Sequence, residues 1–240
     1  MQTELRSNLD SVRGKIREAA LRAGRSDEIK LVAVSKTHPA STMREAQAAG
    51  LAVFGENKVQ EAEGKIAEIG RENIEWHLIG HLQSNKARKA VELFDVIQSL
   101  DSLDLATRLE RICIEEDRPA ISVYAQIDLA GESAKSGIQE KDLPALTSYL
   151  RVCRRVKFDG LMVLPPLFDD AEKARPFFRR LREIRDELKS QGFFQNGTGE
   201  LSMGMSHDFE IAIEEGATVV RVGSAIFGAR GRTEEMRSEK

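Results

Sequence analysis

Eight short apolar runs, each followed by a stretch with helical spacing, constrain this chain more than any other feature. The runs lie at residues 30–36, 52–55, 75–80, 95–99, 121–128, 157–164, 200–203 and 218–222. The first of them, IKLVAVSK, is a continuous β-branched run without polar alternation, the pattern of a strand buried on both faces and hence of a parallel sheet. Parallel strands need crossovers, and helical segments at 40–49, 57–69, 84–92, 102–116, 140–152, 170–190 and 206–215 supply them. Ahead of the first strand, Leu5, Leu9, Val12, Ile16 and Ala20 form one apolar stripe on a helix over 3–23, which Gly24 ends. This alternation predicts an α/β fold, a single (β/α)8 barrel with an extra N-terminal helix, as one domain over 1–240. An open doubly wound sheet ranks second because it usually uses fewer strands. Residues 191–199, QGFFQNGTG, read as a turn-rich loop inside the domain, and the charged tail after Gly228 is expected to fray.

Charge and composition exclude several function classes. The net charge is −3, and acidic and basic residues are interleaved, so no basic face offers itself to nucleic acid. No stretch is long and apolar enough to cross a membrane, and the N-terminus lacks a signal-peptide core. The two cysteines, Cys113 and Cys153, are placed in helices without CxxC spacing and read as reduced, partly buried thiols. A cytoplasmic protein is expected.

The chemistry-bearing residues stand at strand ends, where barrel folds place their ligands. Lys36 closes the first run; a partly desolvated lysine there can attack a carbonyl carbon and form an imine. After the second run, Gly55 allows a tight turn, and Asn57 either caps the next helix or faces a ligand. After the third, His77 and His81 have metal-like spacing only on a helix, which this segment is not, so no zinc site is read. His81 either packs against a flat aromatic ligand or is a satisfied loop residue. Asp128, after the fifth run, is a functional candidate or the start of a turn toward Gly131. After the seventh, Gly204 lets the backbone approach a ligand, and Ser206 sits where a helix begins, so its hydroxyl and the free N–H groups suit an anion. The sequence has no GxSxG elbow. In the eighth run, Arg221 interrupts a buried β-branched stretch, which is costly unless it faces a ligand or a carboxylate. Gly223 and Ser224 then offer N–H and O–H groups at the start of a short helix, and barrels often hold phosphate after strands seven and eight. A lysine nucleophile, a buried arginine and a phosphate cradle fit a phosphorylated aldehyde. Pyridoxal 5′-phosphate (PLP), imine-linked to Lys36, is the obvious candidate; an aldolase forming a lysine imine with a sugar phosphate is the alternative.

The motifs VAVSKTHP, FGENKVQE, WHLIGHLQSNK, LMVLPP and LSMGMSHDFEIAIEEGATVVRVGSAIFG resemble the pyridoxal-phosphate homeostasis proteins, in the family's order and through nearly the whole chain. That family is similar in fold to the barrel domain of alanine racemase. The resemblance implies PLP on Lys36, its phosphate near Ser206, Gly223 and Ser224, Arg221 facing the pyridine nitrogen, and a role in vitamin B6 and amino-acid homeostasis without robust catalysis. One departure is Lys58, where an aromatic residue is expected; pointing inward, it would depress the pKa of Lys36.

Carrier and enzyme predict different things. Alanine racemase completes its site with a second domain and a tyrosine base, whereas this chain stops just after the eighth strand. Its tyrosines, Tyr124 in the fifth strand and Tyr149 in a helix, are not placed for that task. A cation against the ring nitrogen weakens the electron sink that carbanion chemistry needs. The reading is therefore a monomeric PLP carrier whose expected partners are PLP and PLP-dependent apoenzymes that receive it; a weak single-domain amino-acid racemase is the alternative.

Overall fold

The apolar runs pair edge to edge and close into a ring. In the computed structural model, which describes residues 2–131, 136–194 and 197–228, the strands are β1 (Lys30–Val34), β2 (Val53–Glu56), β3 (Glu75–Leu78), β4 (Val96–Leu100), β5 (Ile121–Gln126), β6 (Val156–Met162), β7 (Glu200–Ser202) and β8 (Val219–Val222). They are parallel and adjacent in chain order. The ring closes because β8 pairs with β1, Lys30 opposite Val219 through Ala33 opposite Val222. That closure excludes the open sheet.

The helices are α1 (Gln2–Arg22), α2 (Ala40–Ala48), α3 (Val59–Ile69), α4 (Ala87–Leu93), α5 (Leu103–Glu115), α6 (Leu143–Leu150), α7 (Arg175–Ser190), α8 (Phe209–Glu214) and α9 (Ser224–Phe227). Four start three or more residues later than the sequence reading places them. Ser84–Lys86, Glu140–Asp142 and Ala171–Ala174 are single 3-10 turns leading into α4, α6 and α7. For α6 and α7 the cause is a proline in the first turn, which suits a helix start and restricts the residue before it. The proposed helix 206–215 starts at Phe209, with Ser206–Asp208 in a turn ahead of it.

Side-chain alternation sorts the strands into two layers. Phe54, Trp76 and Phe158 point outward into the main core under the helices, whereas Val32, Val96, Tyr124, Met162 and Val219 fill the barrel interior. Gly55 is not a turn but lies within β2; a Cβ there would meet Val32 Cγ1 at 2.8 Å, so its role is to make room inside the barrel. Gly204, at φ +90°, brings the chain against α8 rather than a ligand, since a Cβ would lie 2.6 Å from that of Ala212. Helix α1 packs by its apolar stripe and fastens to the last elements: Asn8 Nδ2 donates to the Ile226 carbonyl at 3.2 Å, and Arg22 pairs with Glu210 and Glu214.

Among the described residues no helix is long and apolar enough to cross a membrane. The tail 229–240 and part of the 191–199 loop lie outside the described residues. Cys113 is buried in α5, whereas Cys153 lies three residues beyond the end of α6 rather than in a helix. Burial pushes both thiols up to about 11. Native protein at pH 8 is therefore expected to react with a thiol-specific reagent at least roughly a hundredfold more slowly than urea-unfolded protein, because the thiolate fraction and access are both suppressed; equal rates would contradict this.

Candidate functional site

Ring closure gathers strand ends that are far apart in sequence. Strands β7, β8, β1, β2 and β3 are consecutive around the barrel, so Ser206, then Arg221, Gly223 and Ser224, then Lys36, Asn57 and His81 occupy one sector of the mouth. All seven line a single cavity of about 690 Å³ at the C-terminal end of the strands, together with Gln126, Asp128, Leu164 and His207. This is the position where barrels bind ligands.

Lys36 sits two residues past β1, half-buried, on the inward-facing phase that follows Val32 and Val34. The outward neighbour Ser35 is tied into a buried cluster behind the strand. Its hydroxyl donates to Glu56 Oε1 at 2.7 Å. The Lys65 ammonium on α3 donates at 2.7 Å to the Ser35 carbonyl, to Glu56 Oε1 and to Glu61 Oε1. On the other side of Lys36, Thr37 has φ +68°, a left-handed conformation unfavourable to a β-branched residue. Its N–H donates to Glu61 Oε1 at 2.5 Å, which holds it there. Lys65, Glu56 and Glu61 thus clasp the peptide groups on both sides of Lys36. Burial raises the Glu56 carboxyl above its ordinary range, with Lys65 offsetting only part of this. Glu61 is also partly buried, but the Lys65 ammonium and the Thr37 N–H outweigh that and hold its carboxyl low.

Asn57 lines the cavity and does not cap α3, whose N-cap is Lys58 without a side-chain bond. Lys58 itself is exposed and is not part of the cavity wall, so it does not bear on Lys36 as an inward cation would. His81 Nδ1 donates to Asp101 Oδ2 at 3.0 Å while the ring stays half exposed at the rim. Asp128 both lines the cavity and makes the turn to Gly131, accepting the N–H groups of Ala130 and Gly131. His77 and His81 do not share a site: His77 is inside the barrel and His81 is at the mouth.

The anion end is built differently from the sequence expectation. Ser206 does not begin α8. Its hydroxyl oxygen accepts from the N–H groups of Gly223 at 3.2 Å and Ala225 at 3.3 Å, so it caps α9 from across the mouth. The Ser224 hydroxyl and N–H make no hydrogen bond to any described residue and lie in the same wall. With the Gly223 and Ala225 N–H groups taken by Ser206, the Ser206 and Ser224 hydroxyls and the Ser224 N–H on one wall form a donor set suited to a phosphate.

Arg221 is 2% exposed and forms the inner part of the cavity. Its hydrogen-bond partners are neutral, NH1 donating to Ser202 Oγ at 2.6 Å and NH2 to the Val163 carbonyl at 2.8 Å, while the Asp208 carboxylate acts on it through space. Burial lowers its pKa to about 10, so the guanidinium remains charged at neutral pH. The donor set therefore matches PLP part by part: an amine for the aldehyde, N–H and O–H donors for the phosphate, and a cation for an unprotonated ring nitrogen.

A ring-closed barrel with this cavity is of the alanine racemase N-terminal-domain class, and the family so described matches residues 7–231. The pyridoxal phosphate homeostasis protein of Pseudomonas aeruginosa is 45% identical over 228 residues, covering 93% of this chain and 94% of the relative. That of Escherichia coli K12 is 44% identical over 237 residues, covering 95% and 97%. The structure of PipY from Synechococcus elongatus PCC7942 with PLP bound is 42% identical with a TM-score of 0.82, covering 94% of this chain and all of PipY. This chain belongs to the pyridoxal phosphate homeostasis protein family.

Proposed function

We propose that this protein binds PLP in the mouth cavity, holds it as an imine on Lys36, and serves PLP homeostasis as a carrier. The observation that carries the reading is that Lys36, Arg221 and the Ser206, Gly223 and Ser224 cradle line one cavity. The names of its relatives and the PLP-bound PipY structure support it. PLP brings an aldehyde conjugated to a pyridine ring. The cradle takes the phosphate, Arg221 faces the ring nitrogen, and Asn57 and His81 flank the ring.

Two features argue against robust catalysis. A guanidinium at the ring nitrogen disfavours ring protonation and so weakens the electron sink. Tyr124 lies inside the barrel and opens to its opposite end, and Tyr149 is on α6, so neither reaches the mouth as a proton acceptor. Apoenzymes that need PLP are the natural recipients.

Mixing purified protein with PLP is expected to give a visible absorbance band that borohydride traps on Lys36, and Lys36→Ala is expected to lose both band and adduct. The same band in Lys36→Ala would overturn the assignment. Rapid loss of the α-proton of an added amino acid in deuterated water would overturn the carrier reading in favour of the racemase.

A further inference from the structure

The barrel interior is apolar around Val32, Val96, Met162 and Val219, but one polar line crosses it. His77, Gln98, Ser202 and Arg221 interrupt strands β3, β4, β7 and β8, and each is at least 98% buried. Their hydrogen bonds are continuous. Arg221 donates to Ser202 Oγ at 2.6 Å, and Ser202 Oγ donates to Gln98 Oε1 at 2.6 Å. The Gln98 amide nitrogen is 2.7 Å from His77 Nδ1, and His77 Nε2 is 2.6 Å from Glu75 Oε1. Glu75 also accepts from Lys30 at 2.8 Å and lies at the opposite end of the barrel, where it lines a second cavity of about 330 Å³.

Only one direction of donation satisfies every link. An ionised carboxylate can only accept, so Nε2 of His77 carries the proton. Burial holds the His77 pKa below its ordinary value, so the ring is neutral, Nδ1 is bare, and it accepts from the Gln98 amide. The Gln98 carbonyl must therefore meet Ser202, whose single proton goes to it, leaving the Ser202 oxygen open to Arg221. The Glu75 charge fixes the tautomer of His77, and the tautomer fixes everything beyond it.

We infer that Glu75, His77, Gln98 and Ser202 are positioning residues that set the Arg221 guanidinium against the cofactor from across the barrel. The inference rests on the PLP reading. With a neutral side chain at position 75, the line loses its fixed direction: His77 can carry its proton on Nδ1, Gln98 can turn over, and its amide then competes with Arg221 for the Ser202 oxygen. A carboxylate with no contact to the mouth would thereby govern how firmly Arg221 is held.

The test compares wild type, Glu75→Gln, Glu75→Asp and Gln98→Met by PLP titration, by borohydride trapping, and by the ¹⁵N signal of PLP labelled in the ring. Glu75→Gln and Gln98→Met are expected to keep the Lys36 adduct, to bind PLP roughly tenfold more weakly, and to shift the ring ¹⁵N signal in the same direction. Glu75→Asp, which keeps the charge, is expected to restore most of the shift. A purely structural role would not move the ring signal of a folded variant. Glu75 is about one-third exposed, so its variants keep the test decisive where Gln98→Met is too unstable to handle. A wild-type ¹⁵N signal and affinity in Glu75→Gln would overturn the inference while leaving the PLP site intact. Failure of wild type itself to form the adduct would overturn the PLP reading and this inference with it.

Discussion

Lys65→Met is expected to destabilise the protein by about 3–5 kcal/mol at neutral pH, with a fall in Tm of roughly 10 °C. Lys65 is 7% exposed and Glu56 fully buried, and one ammonium serves two carboxylates and the Ser35 carbonyl. Removing it leaves a buried negative charge without a partner, which is much more costly than losing an exposed ion pair. The other Glu56 oxygen already has no hydrogen-bond partner among the described residues, so the neutral Ser35 hydroxyl on Oε1 is what remains to compensate. The pH dependence has a definite sign. The folded protein binds the Glu56 proton more tightly than the unfolded chain does, because burial raises that carboxyl above its ordinary value of 4.5. Stability from this group is therefore lost as pH rises through the interval above 4.5. Without Lys65 the carboxyl rises further, so the deficit of the variant is greatest at neutral pH and shrinks as the solution is acidified. Urea midpoints across that range check this; a deficit that is the same at every pH would mean that Lys65 acts only by packing.

The clasp also has a functional side. The same variant releases the Ser35 carbonyl and weakens the hold on Glu61, which keeps Thr37 in its left-handed conformation. Lys36 lies between them, so PLP capture by folded Lys65→Met is expected to weaken alongside stability.

Gly80→Ala is the second large effect. Gly80 lines the cavity between Ile79 and His81, and a Cβ there would stand 2.3 Å from the Asn57 carbonyl oxygen and 2.8 Å from its Cα. Both obstacles are backbone, so no rotamer relieves the contact. The loops after β2 and β3 must separate, and Asn57 and His81 move with them. Overpacking of this kind costs about 3 kcal/mol, and PLP affinity is expected to fall at least roughly tenfold. Isothermal titration and thermal melts on the same sample separate the two effects; wild-type PLP affinity in a folded Gly80→Ala would show that these loops do not shape the site.

Much of this was legible in the sequence because it depends on local pattern. Continuous β-branched runs separated by helical spacing specify parallel strands, and Lys36, Arg221, Gly223 and Ser224 are marked by standing at or within such runs. What was not legible depends on contacts between strands. Ser206 reads locally as the cap of the helix that follows it, but its oxygen is taken by the N–H groups of Gly223 and Ala225, on the far side of β8. Lys65 reads as an ordinary lysine on a helix surface, and only the packing of α3 on β2 buries it against Glu56. The interior line had a signal that was readable in principle: His77, Gln98 and Ser202 each interrupt an apolar run, as Arg221 does. Considered singly each looks incidental; the parallel register puts them side by side.

The pairing of β1 with β8 has one more consequence, for the order of events during synthesis. Lys36 leaves the ribosome well ahead of Ser206, Arg221, Gly223 and Ser224, the groups proposed to take the phosphate and the ring nitrogen, which follow some 170 to 190 residues later on the elements around β7 and β8. A nascent chain therefore carries the reactive amine long before it carries the rest of the cradle. On the proposed site, tight PLP capture is expected only of chains whose ring has closed, and the cofactor would report completed folding.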